Sequence, residues 1–273
     1  MAARASVYAA GVILLLASVL AGPGTALASE HGRRDKPVTV WARAFFASVD
    51  TAIRVDSQTL ALSGTLLDLE ADLDIDDSPT LPMLGIQWWF ADRHLLDLAY
   101  FELTRDGRAI IDEEIRWDDF VYPINFDVRS SFNTKITRLA YRYALISTQQ
   151  SEFSIGGGIH WTDMEAGISE ASIGSSEVSS DAPLPMLTAA FDYDFSPKWS
   201  VLFLGEWFGI EVGDVSGEIW HADATLQWHA WENVSLELGY NYFDLDFDVG
   251  DADFRGLFNY TYQGPFLGVA IAF

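Results

Sequence analysis

The sequence predicts an all-β fold: a transmembrane, antiparallel, up-and-down β-barrel of about ten strands. Three observations point there. Apolar and polar residues alternate with period two, short turns alternate with long acidic connections, and the strongly apolar last strand ends on Phe273. Period-two alternation marks a strand whose two faces meet different surroundings. In residues 219–230, Trp220, Ala222, Ala224, Leu226 and Trp228 share one face, while His221, Asp223, Thr225, Gln227 and His229 share the other. Residues 137–145, 187–195 and 234–242 repeat the pattern.

The first element is not part of that sheet. Arg4 precedes an apolar run from Val7 to Ala21, and Ala26-Leu27-Ala28 supplies a small-x-small cleavage pattern, so residues 1–28 read as a secretory signal peptide. Residues 29–37 then form a short periplasmic segment, and 38–273 form the barrel. The chain has no cysteine, which leaves an exported protein to hold itself by hydrogen bonding and packing and excludes a lipid-anchored N-terminus. The formal net charge of −24 excludes the basic footprint that nucleic-acid binding needs. A mean hydropathy of +0.11 is high for so acidic a chain, so charge and apolar surface must be segregated.

Beyond residue 28 no apolar run reaches the ~18 residues that suggest a membrane helix, so any crossing is made by strands. These are expected near 38–50, 81–91, 94–106, 133–146, 152–164, 183–195, 198–211, 218–230, 233–246 and 257–273. Short breaks fall at 91–93, 148–150, 196–198 and 231–233, and long acidic or Gly/Ser-rich connections at 55–80, 106–132, 165–183, 212–217 and 246–256. That asymmetry is typical of membrane barrels, with tight periplasmic turns and longer outer loops. Eight or twelve strands stay open, because the first long connection either folds inward or carries strands of its own.

A soluble barrel alternates equally well, so the faces must be told apart by what they carry. Trp199 and Trp207 share one face of a strand, and Trp220 and Trp228 share that of the next. Eight residues of a tilted strand span about 20 Å along the membrane normal, close to the ~25 Å apolar band of outer-membrane barrels. Sorted by strand direction, Trp88, Trp199 and Trp228 fall beside short turns, and Tyr100, Trp161, Trp207, Trp220 and Tyr242 toward long loops. Two aromatic belts follow. The polar face carries both signs: Arg43, Arg138 and Arg142 against Asp97, Asp192, Glu206, Asp223 and Glu237, with His160 and His221 among them. Lysine is nearly absent there, so the face reads as an internal salt-bridge network rather than a solvated exterior.

The last strand, TYQGPFLGVAIAF, places Leu267, Val269, Ile271 and Phe273 on one parity and small residues on the other. This resembles the C-terminal strand of Gram-negative outer-membrane proteins. The stretches PTLPMLGIQWWFADRHLLDLAYFEL and DFRGLFNYTYQGPFLGV are similar to those of small proteobacterial barrels of the outer membrane protein A and W type. The resemblance implies that the barrel-assembly machinery reads this strand, and that outer-membrane lipid and lipopolysaccharide surround a monomer.

Chemistry is harder to find. His160 lies on the polar face beside Ser154 and Thr162, one corner of a lipid A deacylase-like or phospholipase-like site, but the His-x-Ser arrangement of such families is missing. The pairs Asp118-Asp119 and Asp76-Asp77 fit an outer-membrane aspartyl-type protease by residue type alone, so no enzyme is expected. No cofactor is implied either. The acidic stretch Asp244, Asp246, Asp248 and Asp251 suggests a divalent cation, since hard cations want converging carboxylates, but Val249 and Arg255 break the EF-hand pattern. The expected role is structural, or a narrow cation-preferring pore for small solutes, because ten strands enclose far less than the 16–18 of an open porin. A ligand-binding or adhesive surface built on the loops, and a lipid-modifying enzyme, are the alternatives.

Overall fold

The computed structural model describes residues 36–57, 63–250 and 255–273. The segment read as a signal peptide, and Asp251, lie outside them. Among these residues, fourteen strands and one helix run in the order β1 (Val38–Phe46), β2 (Ser48–Val55), β3 (Leu67–Asp68), α1 (Leu69–Leu73), β4 (Thr80–Ala91), β5 (His94–Ile110), β6 (Ile115–Trp117), β7 (Phe120–Tyr122), β8 (Asp127–Ser147), β9 (Ser151–Glu170), β10 (Gly174–Ser196), β11 (Trp199–Val212), β12 (Val215–His229), β13 (Val234–Gly250) and β14 (Arg255–Ala272). Among the described residues no helix is long and apolar enough to cross a membrane.

Backbone pairing closes the sheet on itself. Each wall strand pairs antiparallel with its neighbours from β4 to β14, and β1 pairs with both β4 and β14, which seals the ring. β1 and β2 make one wall, offset at Ala47: β14 pairs with β1 from Thr39↔Ala272 to Phe45↔Phe266, then with β2 from Ser48↔Gln263 to Val55↔Gly256. Gly264 faces the junction, where a Cβ would lie 2.0 Å from the Phe46 carbonyl oxygen. Ten walls result, with four tight connections at one end of the barrel (the turn end); at the other (the loop end) lie the two long excursions, from β2 to β4 and from β5 to β8, together with short turns at 171–173 and 213–214. The ring closes through β1, but toward the loop end β2 pairs with β3 only at Ala52↔Asp68 and Ile53↔Leu67 and β5 has no β4 partner beyond Phe101, so the connection between β2 and β4 lies against both edges.

The predicted strands are placed as expected, but several are too short. The connections expected at 106–132, 165–183, 212–217 and 246–256 are largely strand: β8, β9 and β10 run 21, 20 and 23 residues, β11 and β12 leave only 213–214 between them, and β13 continues to Gly250. The reason is a change of solvent part-way along each wall. On β8, Leu139, Tyr141 and Leu145 point outward near the turn end, whereas Asp127, Arg129 and Lys135 point outward near the loop end. Its inward face does the reverse, from Arg142 and Arg138 to Ile136, Phe132 and Val128. On β9 the outward face passes from Ile155, Ile159 and Trp161 to Asp163 and Glu165, and on β13 from Leu236, Leu238 and Tyr240 to Asp244, Asp246 and Asp248. β5 changes after Tyr100.

The turn-end half is therefore apolar outside and polar inside, and the loop-end half is polar outside and apolar inside. The second half is built like a soluble barrel, and its core needs filling. Two excursions fill it. The connection between β2 and β4 turns inward and buries Leu67, Leu69, Leu73 and Ile75. α1 is only five residues long; Asp68 caps its start by accepting from the Ala71 N–H at 2.8 Å, and Asp74 ends it in the left-handed conformation at φ 53°. The connection between β5 and β8 folds into the β6–β7 hairpin and buries Trp117 and Tyr122. These residues pack with Phe101, Leu103, Phe132, Phe243, Tyr260 and Tyr262 from the walls as one core. Phe243 and Tyr262 stack at 4.7 Å between ring centroids.

Candidate functional site

Below this apolar plug the lumen holds a ring of charge. Nine of the ten residues assigned by parity to a lumenal network meet there; Asp192 lies lower, on the wall of a cavity open at the turn end. Arg43 of β1 bonds Glu237 at 2.7 Å through Nε and Asp223 at 3.0 Å through Nη1. Its guanidinium lies 4.4 Å from the Trp41 ring centroid and 4.3 Å from that of Phe266. Gly268, paired with Arg43 across β1 and β14, leaves the room: a Cβ there would stand 2.7 Å from Arg43 Cγ. Arg138 of β8 bridges Asp97 at 3.2 Å and donates from Nε to both oxygens of Glu206, at 2.8 and 2.9 Å. Arg142 reaches Asp97 at 3.4 Å.

Glu206 is the hub. Besides Arg138, its Oε2 lies 2.9 Å from His160 Nε2 and 2.7 Å from His221 Nδ1. Asn241 donates from Nδ2 to Asp223 at 3.2 Å and lies 3.0 Å from His221 Nε2. Three guanidinium groups thus face four carboxylates (Asp97, Glu206, Asp223 and Glu237), each with a counter-charge within 3.4 Å. Buried charges of either sign persist only when paired in this way. Strand pitch explains the convergence: His221 lies directly opposite Glu206, and Gln227 opposite Glu237, so parity delivers each of them inward at matching depth.

Toward the turn end the ring opens into a cavity of about 620 Å³, lined by Arg142, Gln87, Trp89, Leu202, His229 and Trp231 among others. A second, narrow space of about 60 Å³ lies within the ring itself and shares Gln87, Arg142 and Leu202 with the larger one. On the loop-end side a further buried ion pair holds the plug down. Arg105 bonds Glu70 of α1, the Thr51 hydroxyl at 2.7 Å and the Asp76 carbonyl at 3.2 Å. Glu70 also accepts from the Thr51 N–H at 2.8 Å.

The remaining predicted residues sort by height. On the outer surface Trp199 stacks on Trp228 at 6.1 Å and Trp207 meets Trp220 at 6.2 Å, one pair toward each end of the apolar girdle. Trp88 is exposed on the turn-end side, and Tyr100 and Trp161 on the loop-end side. Tyr242, half-buried, is the last outward-facing aromatic before the acidic run of β13. Leu267, Ile271 and Phe273 are exposed on the outward face of β14, with Val269 half-buried between them. Asp244, Asp246 and Asp248 sit on the outward face of β13, each two residues from the next, so they spread along the strand at ~6.6 Å intervals rather than converging. Burial first, then the charges of Asp244, Asp248 and Glu218, push the Asp246 carboxyl above its ordinary range.

Neither Asp pair is joined to a histidine by a hydrogen bond among the described residues. Asp119 accepts from Ser57, Asp118 from Ser176, Asp76 from the Ser78 N–H and Asp77 from the Ser78 hydroxyl. His160 bonds Glu206 while Ser154 accepts from Arg142, so the two do not form a nucleophile–base pair. Sequence reasoning missed Arg105, Glu70, Trp117 and Tyr122. Arg105 shares the inward parity of Asp97 and lies inside the strand expected at 94–106, so the same parity reading places it in the lumen.

No family model matches the chain, and no curated protein matches it in sequence. Among solved structures, the outer membrane protease OmpT from Escherichia coli superposes with a TM-score of 0.58 over 87% of this chain and 97% of its own, at 10% identity. The fold is that of an outer-membrane β-barrel. The transport unit of the autotransporter AIDA-I from Escherichia coli (TM-score 0.45, 9% identity, 90% of this chain and 94% of that one) is a more distant match. So is Ail of Yersinia pestis (TM-score 0.40, 11% identity, 87% and 99%). The identity to OmpT carries the fold alone, not a protease activity.

Proposed function

We propose that this protein is a structural barrel of a Gram-negative outer membrane whose lumen is held shut from the outside. It lets small cations pass only when its plug leaves. The apolar girdle between the two Trp pairs supports the membrane placement, because so wide an apolar surface on a closed barrel needs lipid as solvent. The turn end then faces the periplasm and the loop end the outside. Lipopolysaccharide and lipid surround the girdle, and the assembly machinery reads the strand that carries Leu267, Val269, Ile271 and Phe273.

The observation that carries the closed state is the plug: α1 and the β6–β7 hairpin fill the loop-end lumen with Leu69, Leu73, Trp117 and Tyr122 above the ionic ring. A continuous aqueous path would have to displace them. Four carboxylates against three guanidinium groups favour cations in whatever path opens. Planar-bilayer recording of the refolded protein tests this. The intact chain gives brief, small, cation-selective openings, and removal of residues 63–76 makes them frequent or steady. A steady porin-sized conductance from the intact chain overturns the proposal.

A second reading has its own observation. β8, β9 and β10 are about twice the ~9–11 residues that cross a bilayer, so a rigid, acidic palisade rises above the membrane. Such a wall suits a surface ligand that carries positive charge. Shortening 165–182 by a matched pair of residues on each strand would abolish that binding while leaving conductance unchanged.

A further inference from the structure

We propose that His160, Glu206 and His221 form a binding site for a divalent metal ion of borderline softness, such as Zn²⁺, inside the barrel. The three residues come from β9, β11 and β12, and one ligand atom of each lies within 4.8 Å of the other two; Glu206 Oε2 is 2.9 Å from His160 Nε2 and 2.7 Å from His221 Nδ1. Two imidazoles and one carboxylate are the donor set of catalytic zinc sites, which keep a further position for water. Nitrogen donors select such ions over Ca²⁺ and Mg²⁺, which want oxygen. The 60 Å³ space lined by His160, His221, Asp223 and Asn241 leaves room for that water, and it adjoins the cavity open at the turn end.

Two further observations favour a cation here. The ring carries one more carboxylate than guanidinium, so it is short of positive charge where desolvation makes imbalance costly. Asn241 Oδ1 is buried without a hydrogen-bond partner. Metal on His160 Nε2 moves that ring's proton to Nδ1, which has no partner among the described residues, a cost set against binding. Metal on His221 Nδ1 moves its proton to Nε2, where Asn241 turns its unpartnered Oδ1 to accept it. Two opposing contacts set the affinity: Arg138 stays on Glu206, and Asn241 exchanges its bond to Asp223 for the new one.

The test uses the whole refolded barrel in detergent, stripped with EDTA and dialysed. Titration with Co²⁺ should give one equivalent bound, with visible d–d bands that Zn²⁺ bleaches. His160→Ala and His221→Ala should each weaken binding at least about 100-fold, while His229→Ala, in the turn-end cavity, leaves it unchanged. On the Cu²⁺-loaded native chain, pulsed electron paramagnetic resonance should count two imidazole nitrogens, a readout that needs no variant to fold. No binding at millimolar Co²⁺, one imidazole or none, or binding that survives both histidine variants overturns the site and leaves the trio a hydrogen-bonded clamp. The outcome is independent of whether the barrel conducts.

Discussion

Glu70→Ala tests the plug at its best-defined contact. The Arg105 side chain is fully buried, and the substitution strips away its bonded carboxylate while leaving the Thr51 hydroxyl and the Asp76 carbonyl in place. A guanidinium left buried without its counter-charge costs about 3–5 kcal/mol. If that cost falls on the docked state of the plug, its open-to-closed ratio rises by about 150-fold to several thousandfold. Hydrogen exchange read by mass spectrometry on peptides covering residues 63–76, in detergent micelles, measures this ratio directly. Protection of α1 should fall by that factor, while β11, β12 and β13 exchange as before. Replacing both partners together, Glu70→Met with Arg105→Met, should restore most of the protection, since an apolar pair of similar volume fits a buried site without the desolvation cost. Exchange of α1 unchanged in Glu70→Ala would refute the reasoning: the plug would then be held by its apolar contacts alone.

Three other outcomes follow from the same geometry. Asp246→Asn should raise the melting temperature at pH 7, because the carboxyl is pushed up by burial and by Asp244. A carboxyl whose folded value lies above its unfolded one costs stability once pH exceeds the unfolded value, so the gain should vanish near pH 3. Gly268→Ala drives a methyl against Arg43 Cγ and the Ala42 carbonyl oxygen, and should cost about 1–3 kcal/mol, read as a lower temperature for the heat-induced gel shift. Removing Phe273, which exchanges backbone hydrogen bonds with Val38, should cut the yield of assembled barrel in the membrane more than it changes the melting of barrels that do form.

The turn-end half was legible in the sequence because its alternation has one sense throughout. Trp199 and Trp207, Trp220 and Trp228, and the run Leu267–Phe273 all keep apolar residues outward, so parity alone sends Arg43, Asp97, Arg138 and Glu206 inward. The loop-end half was not legible for a physical reason. Asp127, Arg129, Glu165 and Asp248 lie on regular strands but face water, and without an apolar outer face they read as loop. Trp117 was hidden for the opposite reason: it sits among acidic residues in IDEEIRWDD, yet its ring is buried in the plug. Partnership across the lumen, such as Arg43 with Glu237 or Arg105 with Glu70, depends on shear and loop path, which no local pattern encodes.

The reversal of polarity along each wall has a mechanical consequence. The loop-end half has its own core and a charged outer skin, so it behaves as a bolt head on a greased shaft. Sliding the barrel toward its turn end by two residues would carry groups such as Lys135 and Asp163 past the loop-end aromatic belt into the edge of the lipid, at up to about 1 kcal/mol for each basic residue. Sliding it the other way would draw Leu139, Tyr141, Ile155 and Leu238 out of lipid, which the apolar girdle opposes. Charged head and apolar girdle together seat the barrel at one depth.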